Sequence, residues 1–395
     1  MANSKLQRSD SASPARPGIP APARATLLRR LTLAFLLVST TIMLEGCSWF
    51  APKSPRLNDA ERRRIALRIR EAIEQAGGKQ VWVKVPPSAP FPPSKADVAT
   101  EVVVTSAEFS AILAALERQA KASDLEVKAR MSVSSKVGRK ADTRLSQKGV
   151  PAGRWLLREV PEIRRAAIII DDLGQDPEAA KKLLALRYPI TFSVLPHLAH
   201  STSTAEEAHR AGREVILHLP MEPDSAARPG PGEIRVGMRP AEVARIIDED
   251  LGSVPHVVGA NNHMGSRATT DARLMAAVIQ ALADLRLFFV DSRTTPASVA
   301  LDVARRQGLP TFYRSVFLDD TETVPYTLGQ LREFRRVIEE HGVALAIGHP
   351  YSSTLAALAH FLPELERDDI QLLPASQLVR LPEVARLSPP RAAPH

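Results

Sequence analysis

Carboxylates and imidazoles in this chain stand at the ends of apolar runs, where the chain leaves a core and chemistry can be built. In "AAIIIDDLGQ" (166–175) small and branched apolar residues run straight into Asp171 and Asp172. In "EVILHLPME" (214–222) His218 stands among apolar residues, with Glu222 four positions on. In "HVVGANNHMG" (256–265) the apolar run ends in Asn261, Asn262 and His263. Asp291 follows "LFFV", Asp319 and Asp320 follow "FYRSVFL", and His349 follows "VALAI" and a glycine. Carboxylate and imidazole together suit Zn²⁺ or a similar divalent ion, and three protein ligands leave a position for water. Such an ion lowers the pKa of water towards ~7 and polarises a carbonyl oxygen. A second carboxylate can take the proton from water, and a histidine across the site can protonate a leaving group. Two adjacent aspartates offer one acid for each task. Neighbouring side chains on an extended strand diverge, so the strand is expected to end at this pair, with Gly174 turning the chain just beyond.

Taken singly, each residue has a plainer reading. Asp171 and Asp172 could be a charged strand end and a helix cap, and His218 a packed core residue. His263 could cap a turn, Asp291 could cap the loop "SRTTP", and His349 before Pro350 could be turn chemistry. Asp319 and Asp320 either line the site or belong to a polar loop. His197, His200 and His209 read as surface or loop residues, His197 closest to a rim.

The elements that must position these groups are regular. Short apolar runs occupy 166–170, 190–195, 214–219, 256–260, 287–290, 312–318, 343–347 and 370–375. Helical patterns such as "PAEVARIIDEDL" and "DARLMAAVIQALADL" lie between them. Strand–helix alternation implies parallel strands with helices outside. Seven or eight units in about 210 residues fit a closed or nearly closed β/α barrel better than a doubly wound open sheet, the alternative. The polar groups then stand at the C-terminal strand ends, which converge on one mouth. Neither a G-x-G-x-x-G nor a Walker loop supports nucleotide binding.

Residues 58–160 read as a small α+β domain. Its first helix starts at Asn58 or Asp59 and ends at Gly77-Gly78, with apolar positions at 65, 66, 69 and 73. "KVGRKADTRLSQKG" reads as a mobile loop, and 388–395 as a disordered tail. The domain offers no chemistry of its own, and a structural role or an envelope protein partner is expected for it.

At the N-terminus, Arg29-Arg30 precede the uncharged stretch 31–44, too short for a membrane span of ~20 residues and suited to a signal peptide over 1–46. A retained signal anchor is the alternative. "LEGC" follows, and its Cys47 is the only cysteine among 395 residues. The arrangement resembles a bacterial lipoprotein signal, although Glu45 replaces the usual small residue. That resemblance implies a lipidated Cys47, a tether over 47–57, and a periplasmic protein held to a membrane, Ser48 favouring the outer one. The net charge of +8 falls to about +4 without residues 1–46, which gives no argument for nucleic acid.

Over residues 164–380 the motifs "IIIDDLG", "TFSVLPH", "LHLPMEP", "GANNHMGSRAT", "FFVDSRTT", "VFLDD" and "AIGHP", in this order, resemble the divergent branch of the NodB-like polysaccharide deacetylase superfamily. The resemblance implies a distorted (β/α)7 barrel and metal-dependent removal of acetyl groups from an envelope glycan or polysaccharide. It assigns Asp171 as base, Asp172 as metal ligand, His349 as acid and Asp291 as the aspartate that orients it. Two departures bear on the ligand set. Glu222 stands where a second metal histidine is usual, and Asn261 to Gly265 replace the usual Arg-x-Pro-x-Gly. The reading taken is a ligand swap, with Asp172, His218 and His263 holding one ion. Glu222 could instead bind it or orient a ligand, and Asn262 or Arg293 could replace the missing arginine beside the base. The departures also leave a second function open: a catalytically reduced glycan-binding or assembly factor of the envelope.

Overall fold

Side-chain parity organises the larger of two sheets. The computed structural model describes residues 57–85, 90–135 and 138–388; the leader, Cys47 and the tether to residue 56 lie outside them. From residue 57 onward the chain forms one compact unit. Eight parallel strands follow the order β11-β10-β9-β8-β7-β6-β13-β12. Their ranges are β6 (Arg164–Leu173), β7 (Thr191–Val194), β8 (Val215–Met221), β9 (Val257–Met264), β10 (Phe288–Asp291), β11 (Thr311–Tyr313), β12 (Val316–Phe317) and β13 (Val343–Gly348). A ninth, β14 (Ile370–Leu372), pairs with the start of β6. Among the described residues no ladder closes β11 onto β12, so the sheet curls into an incomplete barrel. The expected parallel, helix-flanked fold is therefore what forms. The run 312–318, expected as one strand, breaks at Arg314-Ser315, and its two halves close opposite ends of the sheet.

Alternate residues of each strand face inward. Ala167, Ile169, Ile216, Phe288, Val290, Phe312, Val343, Leu345 and Ile347 form one buried cluster inside the curl. Ile168, Ile170, Leu217, Leu219 and Ala344 pack outward against the helices. Burying each large aliphatic side chain is worth about 1.5–3 kcal/mol, and a slip of one residue would reverse every one of them. The register is thus strongly held. The inward parity continues to the strand ends, where it reaches Asp171, Ser193, His218, Asn261, His263, Ser292 and His349.

The smaller sheet has the order β1-β2-β5-β4-β3, with β1 (Val81–Val83), β2 (Ala99–Thr105), β3 (Glu126–Ser134), β4 (Gly138–Gln147) and β5 (Val150–Val160). Helices α1 (Asp59–Gly77) and α2 (Phe109–Ala122) cover it. Asn58 caps α1, its side chain accepting from the Glu61 N–H while Glu61 accepts from the Asn58 N–H, a reciprocal box. Ile69, Ile73, Ile112 and Leu116 meet Val102, Val104, Trp155 and Leu157 in its core. The loop expected around 136–149 is mostly the strand β4. Ala141, Thr143 and Leu145 alternate inward there, and a half-exposed strand needs no more apolar content than that. Of the expected tail only Ser388 is described, its carbonyl accepting from the Tyr313 hydroxyl. Lys84, nearly buried, and Arg158 tie this sheet to Asp369 just before β14.

Candidate active site

Asp171 and Asp172 both reach the mouth, by a route different from the one expected. The strand does not stop at the pair: it continues to Leu173 and bulges, the register with β7 shifting between Ile170 and Leu173. Asp172 takes a left-handed φ of 57°, so its side chain swings to the same side as that of Asp171. A bulge re-aims a side chain in this way, and a non-glycine residue held there costs of order 1–3 kcal/mol. The fold bears that strain at the one place where two adjacent carboxylates face one site.

Three donor atoms converge at this point. Asp172 Oδ1 lies 3.1 Å from His218 Nε2 and 3.0 Å from His263 Nδ1. The two ring nitrogens are themselves 3.0 Å apart. Asp172, His218 and His263 are the only described residues among the Asp, Glu, His and Cys side chains grouped closely enough to hold an ion. Asp172 Oδ1 is buried yet accepts no hydrogen bond, even with two imidazoles beside it. An oxygen so placed is short of a partner. Around a tetrahedral ion with bonds of 2.0–2.1 Å, donor atoms stand roughly 3.3 Å apart. The triangle therefore fits a divalent metal, and its residue types fit zinc-like ions.

The charges reinforce one another. Burial opposes the ionised form of Asp172, but the His218 and His263 rings outweigh it and hold the carboxyl far below the usual range. Burial likewise disfavours a charged His218, yet Asp171 and Asp172 raise its pKa. Asp171, only 3% exposed, stands 3.6 Å from His218 Nε2 through its Oδ2.

On the other side His349 Nε2 lies 3.7 Å from Asp172 Oδ2. Its partner is Asp319, not Asp291. Asp319 Oδ1 is 3.0 Å from His349 Nδ1, and Oδ2 accepts from the His349 N–H at 2.6 Å and the Thr354 hydroxyl at 2.7 Å. Gly348 permits this approach, since a Cβ there would stand 3.1 Å from Asp319 Oδ2. Burial alone would keep the ring neutral, but Asp319, with Asp171 and Asp172, pushes its pKa up to about 9. Phe317 and Tyr351 flank the ring at 5.5 and 5.4 Å.

The remaining expected residues do other work. Asp291 accepts from the Arg293 N–H and the Ser298 hydroxyl, and burial raises its pKa. It shapes the turn after β10, and Arg293 is part of that turn. Glu222 accepts from the Val236 N–H and Arg267, bracing the loop after β8 away from the donor triangle. Asn262 accepts from the Ser292 N–H and donates to the Met264 carbonyl, so it is not the group beside the base. That group is Asn261, whose Nδ2 donates to Asp171 Oδ1 at 2.8 Å. Strand alternation was the signal: residues 261 and 263 share a face, and 262 does not. Asp320 is exposed, and His197 pairs with Asp250, outside the triangle.

Comparison with known proteins bears on the barrel that carries this site. The family described as divergent polysaccharide deacetylase matches residues 168–379. The chain belongs to that family. Two curated relatives carry no assigned activity. The uncharacterized protein YibQ of Escherichia coli is 36% identical over 229 residues, 58% of this chain and 72% of its own length. An uncharacterized protein of Haemophilus influenzae is 36% identical over 216 residues, 55% of this chain and 77% of its own. Among solved structures, an uncharacterized protein from Agrobacterium tumefaciens superposes with a TM-score of 0.52 at 21% identity, over 54% of this chain and 89% of its own. That likeness concerns the fold alone. The small sheet lies outside the family match, so the divergent deacetylase module begins where the curled barrel begins.

Proposed function

We propose that this divergent polysaccharide deacetylase is a metal-dependent hydrolase that removes acetyl groups from an envelope glycan. One observation carries the reading: Asp171 and His349 flank the same three-donor triangle, the first beside His218 and the second beside Asp172. Asp172, His218 and His263 would hold a divalent ion, zinc being the natural choice for one carboxylate and two imidazoles. Such an ion would polarise the acyl carbonyl and acidify nearby water. Asp171, held by Asn261, accepts the proton of the attacking water. His349, protonated at neutral pH and aimed by Asp319, gives a proton to the departing sugar nitrogen or oxygen. Asp319 keeps the imidazole in one orientation through two contacts from one carboxylate.

Acetate release from N- and O-acetylated glycans by purified residues 48–395, with metal content measured on the same sample, tests this. Release that needs the ion is expected. An ion-loaded protein that binds glycan but frees no acetate would replace the hydrolase with the envelope-binding reading. The sole cysteine after an apolar leader supports placement in the periplasm on a lipid anchor. Under that reading Cys47→Ser releases the protein from membranes, whereas continued membrane retention would remove the anchor from the account.

A further inference from the structure

We infer that Asn261 is a positioning residue that sets the base and one metal ligand together, through the two ends of one amide. The inference rests on the deacetylase reading and adds to it a device that neither the sequence motifs nor the family match assigns. Asn261 is completely buried. Its Nδ2 donates to Asp171 Oδ1 at 2.8 Å and to the Ser292 hydroxyl at 3.2 Å. Its Oδ1 accepts from the Ser193 hydroxyl at 2.7 Å and faces His218 Nδ1 at 2.9 Å. These four contacts use the whole hydrogen-bonding capacity of the amide.

The chemistry of the partners fixes which way the amide faces. A carboxylate can only accept, so the NH₂ end must face Asp171. The reverse orientation would set two acceptor oxygens 2.8 Å apart with no proton between them. With Nδ2 committed to Asp171, Oδ1 faces His218, and His218 must carry its hydrogen on Nδ1. Its Nε2 then points a lone pair at the donor triangle, as a metal ligand requires. Ser193 and Ser292, from β7 and the end of β10, clamp the amide so that it cannot rotate. One neutral residue thus couples the carboxylate that moves protons to the imidazole that holds the ion, without adding charge to a buried site.

Two substitutions, one nearly isosteric and one a truncation, separate the halves. In Asn261→Asp the oxygen facing His218 remains, while the amide donor to Asp171 gives way to a carboxyl, and two carboxyls at that distance share one proton, which disables the base. Co²⁺ affinity, read from the visible spectrum of the bound ion, should stay within a few-fold of wild type. The kcat for acetate release should fall by about 100-fold or more at little-changed KM. In Asn261→Ala both ends go, and Co²⁺ affinity should also fall about 10- to 100-fold. Thermal unfolding of each variant separates these effects from misfolding. Where a variant does not fold, a ¹⁵N spectrum of zinc-loaded wild type decides: hydrogen on His218 Nδ1 supports the inference, and a bare Nδ1 overturns it. Equal loss of both functions in a folded Asn261→Asp, or retained Co²⁺ affinity in a folded Asn261→Ala, would also overturn it. Wild type that binds Co²⁺ but frees no acetate would sink the deacetylase reading, while Co²⁺ loss in Asn261→Ala would still support the ligand half.

Discussion

The two sheets of this protein handle charge in opposite ways. In the five-stranded sheet most buried or half-buried charges meet an opposite one. Arg154 binds both oxygens of Asp142 at 2.8 Å, Arg139 meets Glu159 at 2.8 Å, and Arg158 lies between Glu101 and Asp369. These networks are closed and serve to hold strands together. At the barrel mouth carboxylates and imidazoles crowd one another, and a buried oxygen of Asp172 accepts no hydrogen bond. That network is open. A closed set of pairs has little left to offer a ligand, whereas an open one keeps its donor atoms ready for an ion.

Substitutions can break this contrast. The largest effect should come from Asp172→Ala, with metal content falling from about one ion per chain to none and turnover to background. Elemental analysis and acetate release measure both, and an ion retained in this variant would place the metal elsewhere. Asp171→Asn comes next, with a loss of about 100- to 10,000-fold in kcat and the ion still present. If the ion leaves with that change, the division of labour within the pair is wrong. Asp319→Asn acts one step further out, on the aim of His349, and should lower kcat about 10- to 100-fold at constant metal content. An unchanged kcat would remove Asp319 from the account.

The smallest effect belongs to the closed network. Arg139, then Ser106, hold Glu159 down to about 2 against an ordinary 4.5. A carboxyl with a depressed folded pKa stabilises above its unfolded value and loses that contribution as pH falls through the folded one. The pair therefore works in full above pH 4.5 and fades towards pH 2. Glu159→Gln should shift the melting temperature by a few degrees at most at neutral pH and flatten its acid dependence in that window. Metal content should not change; if it does, the two sheets are not separate in the way the contrast holds.

Much of the site was legible because strand ends carry it. Asp171, Asp172, His218, His263 and His349 each follow an apolar run, and parallel β/α topology gathers such ends. Partners were harder to read. Asp291 and Asp319 are equivalent by sequence, each an aspartate after an apolar run. Only strand order separates them: β12, two residues before Asp319, pairs with β13, which leads into His349, while β10 pairs with β9 and β11. Asn261 could have been chosen over Asn262 from alternation alone. Glu222 could not have been set aside without seeing the Val236 N–H and Arg267 that occupy it.

By itself the sequence determined the parallel β/α architecture, the inward parity of each strand and the residue types at its mouth, because burial periodicity and local chemistry are written along the chain. The tertiary structure alone decided which groups touch. The bulge that turns Asp172 beside Asp171, the break at Arg314-Ser315 that brings Asp319 to His349, and the amide of Asn261 between base and ligand all depend on contacts between residues about 20 to 90 positions apart. No local preference encodes such distances; they follow from the order in which the strands pair and the way the sheet curls.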